Sequence, residues 1–318
     1  MDSHAKAREV LEFTFRNRRL LDPAAPCLAE PCDECYAPHL ARVKGFVERQ
    51  EPIHFVILAF PSKSPNTTKV LGPLPDLAEW TALDFLQSFC DQLSYYHPPG
   101  ARITICSDGH VFAETVGITD DEATAYHAEM EAIVAAQGAG SVDFFSLIDA
   151  FDSMPYPLMR EQLELRYAEQ IDLIRKRISA DENARQLFNG IHRFLFEDRS
   201  AMRPEQSRNR MREEAKQVAY AVIRRSNAWS RLVEERFPAA VRLSIHPQPA
   251  HGEKLGFHLL KTRDNWLTPW HGVALESSDG LILVKRSQAE QANARLVWRH
   301  NRPSHFVAPH LTLEGIPA

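Results

Sequence analysis

The chain has 318 residues, 44% of them apolar, 9% aromatic and 25% charged. This is the balance of an ordinary globular protein and excludes disorder, collagen and low complexity. Its 37 basic and 42 acidic residues leave a net charge of −5, so no global field collects nucleic acid or anionic lipid. At ~150 residues per domain the length suggests about two domains, or one large α/β domain with an appendage. The longest apolar runs, Phe55 to Phe60 and Val218 to Ile223, are six residues, far short of the ~20 that a membrane-spanning helix needs. The opening MDSHAKAREVLEF breaks its apolar residues with charge and has no secretory signal region, so a cytoplasmic location is expected. Five cysteines fit reduced thiols better than a disulfide framework.

In chain order, residues 1–50 are expected to form an N-terminal helical segment. Ile53 to Phe60 reads as a strand buried on both faces. A loop with four prolines follows and delivers Asp76 as the N-cap of a helix carrying Leu77, Trp80, Leu83, Leu86, Phe89 and Leu93. Pro98-Pro99-Gly100 stops it. A second strand spans Arg102 to Cys106, Thr119 to Glu122 supplies a capping box for a helix to about Gln137, and Val142 to Ile148 reads as the third strand. This alternation predicts right-handed crossovers in a mainly parallel, Rossmann-like sheet over residues 51–157. Residues 158–237 become helical, with 15 arginines and two lysines against 13 acids, broken near Ala180 and at Arg203-Pro204. Two to four helices fit there. Residues 238–318 switch to period two at 241–245, 256–260, 273–276, 281–285 and 295–299, predicting a β-rich C-terminal part packed with the core as one catalytic unit.

Open parallel sheets hold ligands beyond the carboxyl ends of their strands, which directs attention to loops 61–66, 107–110 and 149–152. The first joins Ser62, Lys63 and Ser64, two hydroxyls and an ammonium suited to an anion; without the glycines and the GK[ST] order it is no Walker loop. The second sets Asp108 and His110 around Gly109, a candidate acid–base pair or an ordinary turn. Farther on, His246, Lys254, Trp270 and His271 offer titratable, cationic and apolar groups, with core packing as the plainer role. His192, the run Glu197-Asp198-Arg199 and Arg225 could bind carboxylate or phosphate, or form solvated helix faces. Cys27, Cys32, Cys35 and His39 have the ligand types of zinc. Their crowding into 13 residues among prolines lacks the paired clusters of structural zinc, so free thiols and no metal are expected.

The strings Phe55-Val-Ile-Leu-Ala-Phe-Pro-Ser-Lys-Ser-Pro-Asn66, Val70-Leu-Gly-Pro-Leu-Pro-Asp76 and Ile103-Thr-Ile-Cys-Ser-Asp-Gly-His-Val-Phe112 resemble the isonitrile (isocyanide) synthase family. Its members include bacterial tyrosine and tryptophan isonitrile synthases and the fungal enzyme that makes formyl-tyrosine for spore walls. Further matches occur at His192 to Asp198, Arg225 to Trp229, Arg242 to Pro247 and Thr268 to Gly272, so the likeness runs over about residues 30–275. It implies a cofactor-free lyase reaction in which the α-amine of an aromatic L-amino acid, tyrosine ahead of tryptophan, condenses with ribulose 5-phosphate. The ketone carbon then stays on nitrogen as the isonitrile carbon. It further implies a downstream iron- and 2-oxoglutarate-dependent oxygenase, and a homodimer is open to it.

That chemistry needs a phosphate site, a carboxylate site and proton carriers near pH 7. Lys63, Asp108, His246 and His271 are therefore the expected catalytic residues, with Ser62, Ser64, His110, Glu197, Arg225, Lys254 and Trp270 binding substrate. Within this, Ser62, Lys63 and Ser64 hold an anion, Asp108 and His246 move protons, and Lys254 and Arg225 meet phosphate or carboxylate. His271 beside Trp270 receives the ring. A formyl-tyrosine-type synthase, a non-catalytic amino-acid or sugar-phosphate sensor and an arginine-rich nucleic-acid module are the competing readings.

Overall fold

A computed structural model describes residues 2–316. Helices α1 (Ser3–Phe15) and α2 (Asp33–Arg49) lead into β1 (Ile53–Ala59), α3 (Leu77–Leu93) and β2 (Ala101–Ser107). Next come α4 (Gly109–Val116), α5 (Asp120–Gln137) and β3 (Val142–Phe145). A helical stretch follows: α6 (Leu147–Phe151), α7 (Tyr156–Tyr167), α8 (Ile171–Ala180), α9 (Glu182–Met202) and α10 (Arg208–Arg236). The chain then returns to the sheet as β4 (Val241–Ser244) and β5 (Leu255–Gly256), and ends with β6 (Val273–Ser277), β7 (Gly280–Val284), α11 (Arg286–Gln291), β8 (Arg295–Arg299) and β9 (Arg302–Val307). Among the described residues no helix is long and apolar enough to cross a membrane.

Five parallel strands form one sheet in the order β3-β2-β1-β4-β5, so the predicted Rossmann-like sheet is present. Alternate side chains of β1 feed two cores, as the two-residue period of a strand requires. Phe55 and Ile57 join the core built with α2 and α3, while Val56 joins the one containing Phe112, Leu163 and Trp229. An apolar run without polar alternation is the sequence trace of a strand covered on both sides. Asp76 and Thr119 cap α3 and α5 with reciprocal capping boxes, as expected.

Three elements differ from the expectation. The third strand ends at Phe145, because Ser146 and Asp149 form a capping box that opens α6; residues 149–152 thus lie in and just after a helix, not in a strand-end loop. Gly109 and His110, the end of the expected loop 107–110, open α4. In the C-terminal part, β4 and β5 complete the parallel sheet, and a separate mixed sheet of order β7-β6-β9-β8 follows, with β9 unforeseen.

The strand order reverses at β1, with β2 and β3 on one side and β4 and β5 on the other. Crossovers leave in opposite directions there, and a crevice opens beyond the carboxyl ends of β1 and β4.

Candidate active site

One cavity of about 990 Å³ occupies that crevice, lined from the ends of β1, β2 and β4 and from α9, α10 and the 264–271 segment. Phe60 takes a left-handed φ of 58°, rare for a bulky residue, and its ring packs 5.1 Å from Trp270. The sharp exit from β1 sends Pro61 to Asn66 across the cavity floor, where the Ser64 amide donates to the Trp270 carbonyl at 3.0 Å. Arg286, from the second sheet's α11, donates to the carbonyls of Thr67 and Val70, so both sheets shape this loop.

Asp108 is the N-cap of α4 yet makes no capping hydrogen bond. The helix start sits so close to the first loop that a Cβ at Gly109 would lie 2.2 Å from the Pro61 carbonyl oxygen. Glycine is required there for approach between two backbones. Gly109→Ala is expected to lower stability by about 1–3 kcal/mol through overpacking and to displace Asp108; a denaturant titration together with a turnover assay checks this.

Lys63 lines the floor, but its ammonium is fully enclosed. It lies 2.8 Å from both Asp76 and Glu79 and donates to the Pro269 carbonyl at 3.1 Å. Glu79 also accepts from Tyr126, and burial, opposed by Lys63, raises its carboxyl to about 7. Lys63 therefore joins the loop to the N-terminus of α3 and to residue 269. The expectation that it cradles a substrate anion is corrected on this geometry, since its charge is already matched by two acids.

Ser64 is likewise committed, donating to Asp198 at 3.1 Å. Asp198 also accepts from Asn66 at 3.2 Å and pairs with Lys69 at 2.8 Å; burial raises its carboxyl above the ordinary value despite these donors. Lys69 reaches Glu197 at 3.0 Å and lies over the Phe194 ring at 4.2 Å. Asn66 and Asp198, inside the loop and the run that the sequence singles out, line the cavity, and so does Lys69, which it does not. Lys69 follows the quoted FPSKSPN string by three positions, so a wider view of the same loop would have found it.

Ser62 Oγ, Asp108 Oδ1, His246 Nδ1 and Gln206 Oε1 are buried on the lining without a hydrogen-bond partner, and Lys69 Nζ has ion pairs alone. The first three come from the ends of β1, β2 and β4. Buried polar atoms are nearly always paired, so these atoms present the cavity with hydrogen-bonding capacity that solvent or a polar ligand can take up. Burial pushes the Asp108 carboxyl up to about 7. Burial, then Arg19 and Lys254, lowers His246 to about 4. Burial, then Lys69, His246 and Lys63, holds His271 well below its ordinary value, and its Nδ1 lies 2.9 Å from Thr268 Oγ1. Near neutral pH both imidazoles are uncharged, and Asp108 exchanges its proton.

Other expected residues lie elsewhere. His110 is buried against Tyr156, ring centroids 3.8 Å apart, and its Nε2 meets Thr124 Oγ1. Arg225 is consumed by Glu114 and Glu164, joining α10 to α4 and α7; the next residue, Ser226, lines the cavity instead, one step of ~100° around the helix. Lys254 donates to Ser230 at 3.0 Å, away from the lining, with burial and then Arg242 lowering it to about 8. His192 meets the Arg212 carbonyl. Trp270 touches the cavity, but its ring is only 2% exposed and belongs to the core; Phe112, Phe194 and Trp266 supply the aromatic wall.

Known proteins resemble this chain over most of its length. The family model described as pyoverdine/dityrosine biosynthesis protein matches residues 43–297. The L-tryptophan isonitrile synthase AmbI2 of Fischerella ambigua is 46% identical over 97% of this chain and 93% of its own length. An L-tyrosine isonitrile synthase of Pseudomonas aeruginosa is 42% identical over 85% of this chain and 84% of its own. The crystal structure of the PvcA protein from Pseudomonas aeruginosa superposes with a TM-score of 0.91 at 39% identity, covering 95% of this chain and 99% of that one. On this coverage the chain belongs to the pyoverdine/dityrosine biosynthesis protein family, the isonitrile synthase family that its motifs resemble.

Proposed function

We propose that this protein is an isonitrile synthase that converts the α-amine of an aromatic L-amino acid, with ribulose 5-phosphate as the carbon donor. The carrying observation is that the ends of β1, β2 and β4 bring the unpartnered atoms Ser62 Oγ, Asp108 Oδ1 and His246 Nδ1 to one cavity. Relatives named for tryptophan share 46% and 44% identity, and those named for tyrosine 42% and 40%. That ordering moves tryptophan ahead of the tyrosine expected from the motifs.

The reaction balances without an external oxidant or reductant. Amine and ketone form an imine with loss of water, and the five sugar carbons end as hydroxyacetone, formaldehyde and the carbon left on nitrogen, with phosphate released. What the protein must supply is orientation and proton traffic. The Asp108 carboxyl, titrating at about 7, suits repeated proton transfer. His246 and His271, uncharged at that pH, can accept or donate hydrogen bonds without repelling a substrate ammonium. Lys69 replaces Lys63 as the cation for phosphate or carboxylate: it lies at the cavity between buried Asp198 and half-exposed Glu197, and Glu197 is the partner that can give way. The aromatic wall of Phe112, Phe194 and Trp266 receives the ring. The isonitrile retains its carboxylate and would pass to an iron- and 2-oxoglutarate-dependent oxygenase in the cytoplasm.

The test is incubation with tryptophan or tyrosine and ribulose 5-phosphate labelled at C2. Expected is a labelled product with an isonitrile stretch in the infrared, faster with tryptophan. A labelled formamide formed directly would establish the formyl-type activity, and binding of the sugar phosphate without phosphate release would establish a sensor; either overturns the proposal.

A further inference from the structure

The cysteine group near the N-terminus lies outside the cavity lining. Cys27 precedes α2, Cys32 is its N-cap and Cys35 sits in its first turn. Across from them, His251 arrives from the turn between β4 and β5. Its Nε2 lies 3.3 Å from Cys32 Sγ and 3.8 Å from Cys27 Sγ. The sulfur of Cys32 is 3.7 Å from that of Cys27 and 3.7 Å from that of Cys35. All four ligand atoms fall within 4.8 Å of one another.

We propose that Cys27, Cys32, Cys35 and His251 bind a structural zinc ion. Four ligands around zinc at its usual bond lengths leave tetrahedral edges of about 3.8 Å between sulfurs and about 3.6 Å between sulfur and nitrogen, close to the spacings found here. A thiolate-rich tetrahedral set selects zinc over the hard cations. His39, the fourth ligand suggested by sequence proximity, is fully buried with neither ring nitrogen partnered and is not in this group.

Two surrounding residues suit a metal better than free thiols. His251 Nδ1 lies 3.4 Å from a Glu34 carboxylate oxygen. Such a carboxylate fixes the tautomer and ring orientation of a ligating histidine. Arg18, 4% exposed, gives its Nη2 to the carbonyls of Cys27 and Leu28, while its Nε and Nη1 have no partner. Three thiolates and a neutral imidazole around a divalent ion carry one net negative charge, and the guanidinium beside them balances it. The thiol protons pass to solvent on binding.

The site ties the N-terminal segment to the turn that leads into β5, residues more than two hundred positions apart. The neighbouring contact is already tight: a Cβ at Gly256 would lie 2.0 Å from the Arg19 carbonyl oxygen. The zinc holds this edge of the sheet and touches no substrate.

Elemental analysis of protein purified without chelators tests the proposal, with about one zinc per chain expected. Cobalt exchanged into the site should show thiolate charge-transfer and tetrahedral d–d bands. Cys32→Ser and His251→Asn should lose the metal and lower the thermal midpoint, and Glu34→Gln should keep it but release it faster to a chelator. Metal-free fresh protein that takes up no cobalt overturns the proposal without any variant. So does iron in place of zinc, or unchanged zinc in folded Cys32→Ser.

Discussion

Asp108→Asn is expected to lower kcat by a factor of about 10² to 10⁴, the range for loss of a general acid–base group, while leaving a folded protein that is more stable than the parent at neutral and higher pH. Both effects have one cause. Oδ1 of Asp108 is buried and unpartnered, and burial lifts the carboxyl from 3.8 to about 7. The folded chain therefore holds a proton that the unfolded chain has released between those two values. Stability then falls as pH rises across that window and levels off above it. The amide carries no charge and escapes the cost of ionising in a buried site, so the variant gains on the parent as pH rises through that window. Acting as a base, Asp108 should give a kcat/KM that rises with pH through about 7, and the variant should lose that limb. Retention of the limb together with near-parent turnover would remove Asp108 from the chemistry.

The gain in stability separates this from ordinary damage. A residue that merely holds the N-terminus of α4 would cost stability when changed, whereas an acid kept unpartnered for a substrate destabilises the empty protein. His246 follows the same logic from the far side of the crevice. Its lowered value of about 4 keeps the ring neutral through the range where Asp108 titrates, so the pH profile carries one midpoint near neutrality and not two.

Parts of this arrangement were legible in the sequence. A six-residue apolar run gives β1 directly, and Asp76 and Thr119 announce their helices through caps that the structure retains. The crevice follows from strand order, and Ser62, Asp108, Glu197, His246 and His271 do share its cavity. What failed was the assignment of partners. Lys63 was read as an available ammonium because Asp76 and Glu79, which claim it, lie beyond a proline-rich loop. Asp108 is expected as a catalytic residue, yet an ordinary turn stays open for Asp108-Gly109, because no local pattern reveals the Pro61 carbonyl that forces glycine there. Arg225 and Ser226 show the finest limit. Adjacent residues on one helix face different neighbours, and only the packing of α10 fixes which of them meets the cavity. His39 and His251 show the widest, since proximity in sequence favoured the wrong histidine.

Lys63→Met should be the most destabilising of these changes, at about 3–5 kcal/mol, the cost of removing one partner from a buried ion pair. The side chains of Lys63 and Glu79 have no exposed surface and that of Asp76 only 4%, so water cannot take over for the lost ammonium. The sign with pH follows from Glu79, whose carboxyl burial raises from 4.5 to about 7 even against Lys63. Without the ammonium this value climbs further, and the chain can relieve two facing acids by holding a proton. The deficit should therefore be smaller at pH 5 than at pH 8, as read by denaturant midpoints. Adding Glu79→Gln to Lys63→Met should restore part of the loss, because one uncompensated acid then remains in place of two. Turnover per folded molecule should fall less than stability does, and KM for the sugar phosphate should change little. A variant of parental stability whose KM for ribulose 5-phosphate rises steeply would reverse the assignment, making the ammonium a substrate contact and leaving the carboxylates beneath it as its supports.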